Sequence, residues 1–155
     1  VIFPTPMLQL GLHPNPDMEV ALAFAYNRWL TQEVLPGDPG VTTMIYLPFC
    51  DADASLATVE EFADKPGVVG FNITSVRHKP VHHNQYMKVY AAIEETGMPL
   101  GFHAEPTWDD QWMRQLDRFI GVHALSFVLC NMVHLTICVL HGLPDRFPIL
   151  NFLWI

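Results

Sequence analysis

Hydrophobic residues fall along this chain in short unbroken runs, separated by longer stretches with helical spacing. The runs are residues 41–47, 68–73, 98–103 and 149–155, and Val1-Ile2-Phe3 reads as the tail of another at the start. An unbroken apolar run of this length reads as a strand covered on both faces, whereas a half-exposed strand alternates. Each run ends abruptly. The third closes on His103, Ala104, Glu105 and Pro106, so that ionisable residues stand only at its C-terminal end.

The intervening stretches predict helices. Asn15 is placed to cap one, with Pro16 at the first helical position, where a missing N–H costs nothing. That helix runs to about Leu35, with Met18, Leu22, Ala25 and Trp29 on one face, until Pro36-Gly37-Asp38-Pro39-Gly40 breaks it. Asp53 is expected to cap the next, whose apolar positions are Leu56, Val59 and Ala63. Asn84 opens a third, with Tyr86, Val89 and Ile93 on one face and Gly97 as its terminator. Thr107 and Asp110 have capping-box spacing and predict a helix through Phe119 into an uncharged stretch that Gly142-Leu143-Pro144 ends. The resulting order, β-α-β-α-β-α-β-α-β, means parallel strands joined by crossover helices. The chain reads as a single partial α/β domain. An open doubly wound sheet would add a helix over its last strand, whereas a closed (β/α)8 barrel needs about 250 residues, of which five strands fit here.

Composition narrows the function classes. Half of the 155 residues are apolar, 15% are charged and the net charge is −8, with only eight Lys and Arg. There is no basic stripe, so nucleic acid is not an expected partner. Cys50, Cys130 and Cys138 are odd in number and lack C-x-x-C spacing. They read as free thiols of a reducing compartment, hence cytoplasmic. No signal peptide is visible, and without an initiator Met the first residue is not expected to be the natural start. Residues 119–144 contain no Asp, Glu, Lys or Arg, a length sufficient to cross a bilayer. His123, Asn131, His134 and His141 interrupt them and no basic flank or aromatic belt accompanies them. A buried helix, or two in succession, is the expectation; no membrane is expected, and a homodimer through this stretch stays open.

Chemistry is expected at the C-terminal ends of the strands. Those ends carry Thr5 after the first strand, and Phe49, Cys50 and Asp51 after the second. Asn72, Thr74 and Arg77 follow the third, and His103 and Glu105 the fourth. Neutral imidazole is the commonest transition-metal ligand, so His103 is either a ligand or a core histidine bonded to a carbonyl. Arg77 has the geometry to clamp a carboxylate through two hydrogen bonds; a surface arginine is the alternative. His78, His82 and His83 crowd one loop, where solvated histidines are the plainer reading. His123, His134 and His141 share a helical stripe at spacings of 11 and 7, either a metal site or the less apolar face of a helix packing on a neighbour. No Gly-rich phosphate loop, G-x-S-x-G elbow or H-E-x-x-H motif is present.

Four stretches, taken in order, carry a family resemblance: Ala25-Tyr26-Asn27-Arg28-Trp29-Leu30, Gly67-Val68-Val69-Gly70-Phe71, Leu100-Gly101-Phe102-His103-Ala104, and Gly142-Leu143-Pro144-Asp145-Arg146-Phe147-Pro148-Ile149-Leu150. Together they resemble the amidohydrolase-related family of the amidohydrolase superfamily, which includes aminocarboxymuconate semialdehyde decarboxylase and related aromatic-acid decarboxylases and hydrolases. The resemblance implies a metal-dependent (β/α)8 (TIM) barrel, of which this chain would supply strands two to six. It implies one divalent metal, zinc or manganese, held by an H-x-H or E-x-H pair after the first strand, a histidine after the fifth and an aspartate after the eighth. His103 matches the fifth-strand ligand; the other ligands would lie outside residues 1–155. His141 precedes the R-F-P element and does not match the family's catalytic histidine after the sixth strand. The expected substrate is a small carboxylated molecule, aromatic or not; Arg77, Asn72 and Phe49, read from their places at the strand ends, are its expected contacts. The implied reaction is hydrolysis or non-oxidative decarboxylation. One imidazole does not hold zinc tightly, so the 155 residues alone are expected to be inactive. The alternative is an open α/β domain that binds a small molecule or a partner protein without catalysis.

Overall fold

The computed structural model describes residues 1–74, 79–105 and 110–155. Four strands form one parallel sheet: β1 (Thr43–Tyr46), β2 (Val68–Thr74), β3 (Leu100–His103) and β4 (Phe152–Trp154). They lie side by side in chain order. Unreversed order is that of a barrel wall, because a doubly wound sheet changes direction at a switch point. Ile2 adds a single parallel bridge to Thr43 on the outer side of β1, where the first strand was expected. The protein is therefore one side of a (β/α)8 barrel.

The register sorts the two sheet faces. Ile45, Leu47, Phe71, Ile73, Leu100 and Phe102 point to the helix side. There they pack with Val59 and Phe62 of α2 (Ala52–Phe62) and with Val89, Tyr90 and Ile93 of α3 (Met87–Thr96). Met44, Tyr46, Gly70, Asn72, Thr74, Gly101 and His103 share the opposite, inner face. Small residues on that face let long ones cross it: a Cβ on Gly70 would lie 2.9 Å from Met44 Cε.

Local signals explain most boundaries. Asn15 caps α1 (Pro16–Trp29) by accepting from Asp17 N–H at 2.9 Å, and Pro16 begins it. Gly97 ends α3 in the left-handed conformation, φ +71°, where any side chain is strained. Asp51, not Asp53, caps α2, accepting from the backbone N–H groups of Asp53 and Ala54. Asp53 instead pairs with Lys88 of α3.

The face of α1 departs from expectation. Met18, Leu22, Ala25 and Trp29 look outward, while Glu19, Ala23 and Asn27 are buried, with Leu30 directly after them. The helix meets the open edge of β1, where unpaired peptide groups require hydrogen bonds more than apolar cover. Its continuation runs through a wider turn at Leu30–Val34 into Leu35–Gly37, as the sequence signals.

The uncharged stretch forms one helix, α4 (Phe119–Leu140), followed by the short α5 (Leu143–Arg146). Before α4, the described residues hold only a single turn at Met113–Gln115, so the helix expected from Thr107 onward is not continuous; Thr107 itself lies outside the described residues. Nor is α4 buried: only Val122, Ser126, His134 and Cys138 are enclosed. It covers β3 and β4 with that side alone, as an outer barrel helix does.

Candidate metal centre

The strand tips converge on the inner face. β3 carries His103 at its last position, in register with Thr74 of β2. The His103 Nδ1 lies 2.8 Å from the carbonyl oxygen of Ala104. A carbonyl only accepts, so Nδ1 donates, and in the neutral imidazole Nε2 then keeps its lone pair. This is the tautomer of a metal-ligating histidine whose second nitrogen is anchored by the backbone. The rings of Phe3 and Phe127 stand edge-on to the imidazole, at 5.6 and 6.2 Å between centroids.

Two strands away on the same face, Tyr46 sits beside Asn72, and Asn72 beside Gly101. Asn72 is fully buried, and its Oδ1 has no hydrogen-bond partner. A buried amide oxygen left in this way is costly and marks a place for a donor from a ligand, water or ion. Glu19 is also buried and accepts the Tyr46 hydroxyl at 2.9 Å. Glu105, enclosed just past His103, lies near enough to Cys130 to help raise its thiol pKa. Burial is the largest cause of that shift and Asp110 contributes more than Glu105 does, while burial alone pushes Cys138 up to about 12. Both shifts disfavour the thiolate, the reactive form of cysteine.

The expected site residues are thus only partly brought together. His103 and Asn72 share the inner face. Phe49 belongs to the helix-side core, where it stacks on Tyr86 at 4.0 Å and its carbonyl accepts the Tyr86 hydroxyl. It also lines a recess of about 210 Å³ with His13, Cys50 and Lys79. Arg77 and His78 lie outside the described residues. The histidine stripe of α4 does not converge: His123 lies between Phe119 and Phe127, His134 against Phe102, and His141 stacks on His82 at 3.5 Å. His83 accepts from Gln85 N–H and caps a turn. Glu19 and Tyr46 were not singled out from the sequence. The signal was there, in Glu19, Ala23 and Asn27 spaced by four on one helical face.

Zinc is held by three or four protein ligands. Among the described residues no group of three His, Cys, Asp or Glu side chains is arranged to hold a metal ion. His103 fits such an ion as a single ligand; the residues described here do not form the whole coordination sphere.

Unreversed parallel strands, with a backbone-anchored histidine at the tip of β3, form one side of the mouth of a (β/α)8 barrel. The chain belongs to the amidohydrolase family, whose sequence profile matches residues 9–153. No curated protein sequence matches it significantly. Among solved structures, 2,6-dihydroxybenzoate decarboxylase from Rhizobium superposes with a TM-score of 0.77 at 22% identity, over 90% of this chain and 46% of that one. The 5-carboxyvanillate decarboxylase of Sphingomonas paucimobilis gives 0.77 at 19%, over 92% and 43%. A dihydroxybenzoic acid decarboxylase from Polaromonas sp. JS666, with bound manganese and 2-nitroresorcinol, gives 0.75 at 16%, over 89% and 44%. The chain spans less than half the length of these neighbours, and at such identities the likeness is one of fold.

Proposed function

We propose that this chain forms the central wall of a divalent-metal-dependent decarboxylase or hydrolase acting on a small carboxylated aromatic molecule, with His103 as one metal ligand. The observation that carries the reading is the His103 imidazole, fixed by Ala104 so that Nε2 is presented at the end of β3. The remaining ligands are supplied from outside residues 1–155. Manganese in one fold neighbour favours that metal over zinc.

When bound, such a metal polarises a substrate oxygen or lowers the pKa of its water. The chain's own contributions are positional. The Asn72 amide, with Oδ1 unpartnered on the inner face, accepts a hydrogen bond from a substrate hydroxyl. Arg77 pairs with the substrate carboxylate, and Phe49 supports the wall behind the site. Substrates named for the neighbours, a dihydroxybenzoate and a carboxyvanillate, carry both a carboxylate and a phenolic hydroxyl, which matches this pair of contacts.

The test is turnover of 2,6-dihydroxybenzoate and 5-carboxyvanillate by the intact protein after loading with manganese, followed by carbon dioxide release. Release that disappears in His103→Ala supports the reading. Stoichiometric metal binding that is indifferent to His103 would overturn it.

A further inference from the structure

The recess that Phe49 lines opens at the end of the sheet where His103 stands. Three segments enclose it: the chain before α1, the loop from β1 to α2 and the turn before α3. Its volume is about 210 Å³, and Pro14, Pro16 and the stacked rings of Phe49 and Tyr86 form much of its wall. The Tyr86 hydroxyl already donates to the Phe49 carbonyl at 2.8 Å, so the wall meets a ligand through carbon. None of the inner-face residues, His103 and Asn72 included, lines it.

Its charge is unusual for this protein. Lys79 and His13 bring the only side-chain nitrogens to the recess, and no Asp or Glu borders it, in a chain of net charge −8. Among the described residues no carboxylate pairs with Lys79. Its contact with Gln85 Oε1, at 3.4 Å, is longer than a sound N–H···O bond. The adjoining cleft differs. It shares Lys79, but Asp51 and Asp53 border it, and Lys88 there is paired with Asp53.

We propose that the recess is a binding site for a small aromatic monocarboxylate, separate from the metal centre. The ring lies against Phe49, Tyr86 and the two prolines, and the carboxylate meets the Lys79 ammonium. The size fits. An apolar cavity of about 150 Å³ takes up benzene, so a recess of about 210 Å³ has room for the ring and its carboxylate. The charge fits as well. One ammonium balances one negative charge, whereas a dianion such as a phosphate ester would keep a second charge uncompensated beside an apolar wall. Binding here needs no metal.

The experiment is calorimetric titration of benzoate into the intact protein and into its His103→Ala variant. One saturable site per chain should remain in His103→Ala. Benzamide keeps the ring without the charge, and acetate keeps the charge without the ring; each should bind more weakly by about tenfold or more. Lys79→Gln should weaken benzoate by about tenfold, as the loss of one charge-assisted hydrogen bond does, and bring it level with benzamide. Lys88→Gln removes the same charge from the adjoining cleft and should change benzoate binding by no more than about twofold, because salt screens exposed charges that do not touch the ligand. Both lysines are exposed, so neither variant endangers the fold. Absence of saturable binding overturns the proposal, as does benzoate binding that vanishes in His103→Ala and so belongs to the metal centre. Binding that Lys79→Gln leaves unchanged, or that benzamide matches in the wild type, overturns it equally.

Discussion

The side chain of Asn27 pairs with both backbone groups of Tyr46: its Nδ2 donates to the Tyr46 carbonyl at 2.8 Å, and its Oδ1 accepts the Tyr46 N–H at 3.1 Å. These groups point away from β2, on the edge where Ile2 accepts from Met44 N–H one step earlier. The carboxamide thus takes the place of the next peptide of the neighbouring strand, and a helix residue completes a sheet edge. It also holds Tyr46 where its hydroxyl reaches Glu19. Asn27→Ala leaves two buried peptide groups unsatisfied, each costing about 1–3 kcal/mol. The expected loss of stability is about 2–4 kcal/mol in urea unfolding, far more than an exposed polar-to-Ala change. Asn27→Asp should rescue little, because a carboxylate accepts from Tyr46 N–H but cannot donate to its carbonyl.

This contact also shows where sequence reading reached its limit. The strands, the caps at Asn15 and Gly97 and the buried face of α3 are legible, because each depends on neighbours in the chain or on burial against an apolar sheet. Asn27 and Glu19 are not, because apolar periodicity assumes that the inward side of a helix is greasy, and the surface α1 meets is an open strand edge. His103 was legible as a strand-tip histidine, since strand ends are set by local chain character. The Phe3 and Phe127 rings beside it come from positions 100 residues before it and 24 after it, which no local pattern connects. The exposure of most of α4 was not legible for a similar reason: an apolar helix without charges reads as buried whether or not the sheet beside it covers it.

Gly101 offers a test of how closely the inner face is packed. A Cβ there would lie 2.8 Å from Asn72 Oδ1, 2.9 Å from Ile155 Cδ1 and 3.0 Å from Met44 Cε. Gly101→Ala should therefore destabilise the protein by about 1–3 kcal/mol through overpacking. Much of that cost should vanish in an Asn72→Ala background, since the tightest clash is then gone. A double-mutant cycle in urea measures the coupling, and additive losses would show that Asn72 is not the obstacle.

The stacked pair of His82 and His141 joins the loop after β2 to the end of α4. Burial holds the His82 pKa below that of a free histidine, and the nearby His141 and His83 add to the effect. The folded state therefore binds a proton at His82 less readily than the unfolded state. Its contribution to stability is fully present above the free-histidine pKa of about 6.5 and is lost as pH falls below it. His82→Phe keeps a ring for the stack and removes the proton site. The fall in urea midpoint between pH 7.5 and 5.5 should be smaller in this variant than in the wild type. An equal fall in both would mean that the acid sensitivity lies elsewhere.

His103 separates metal binding from folding. The side chain is only half-buried, and its one hydrogen bond is to the adjacent Ala104, so its removal should cost the metal-free protein little. His103→Ala in the intact protein should unfold, without metal, within about 1 kcal/mol of the wild type. The metal-bound forms should differ sharply. An ion at a hundred times its dissociation constant stabilises the state that binds it by about 2.7 kcal/mol. Loss of one ligand of three or four should remove nearly all of that increment at the same manganese concentration. Thermal unfolding with and without manganese, beside metal analysis of the dialysed protein, reads both quantities. If the manganese increment persists in His103→Ala, the ion is held elsewhere and the strand-tip histidine serves only to pack Phe3 against Phe127.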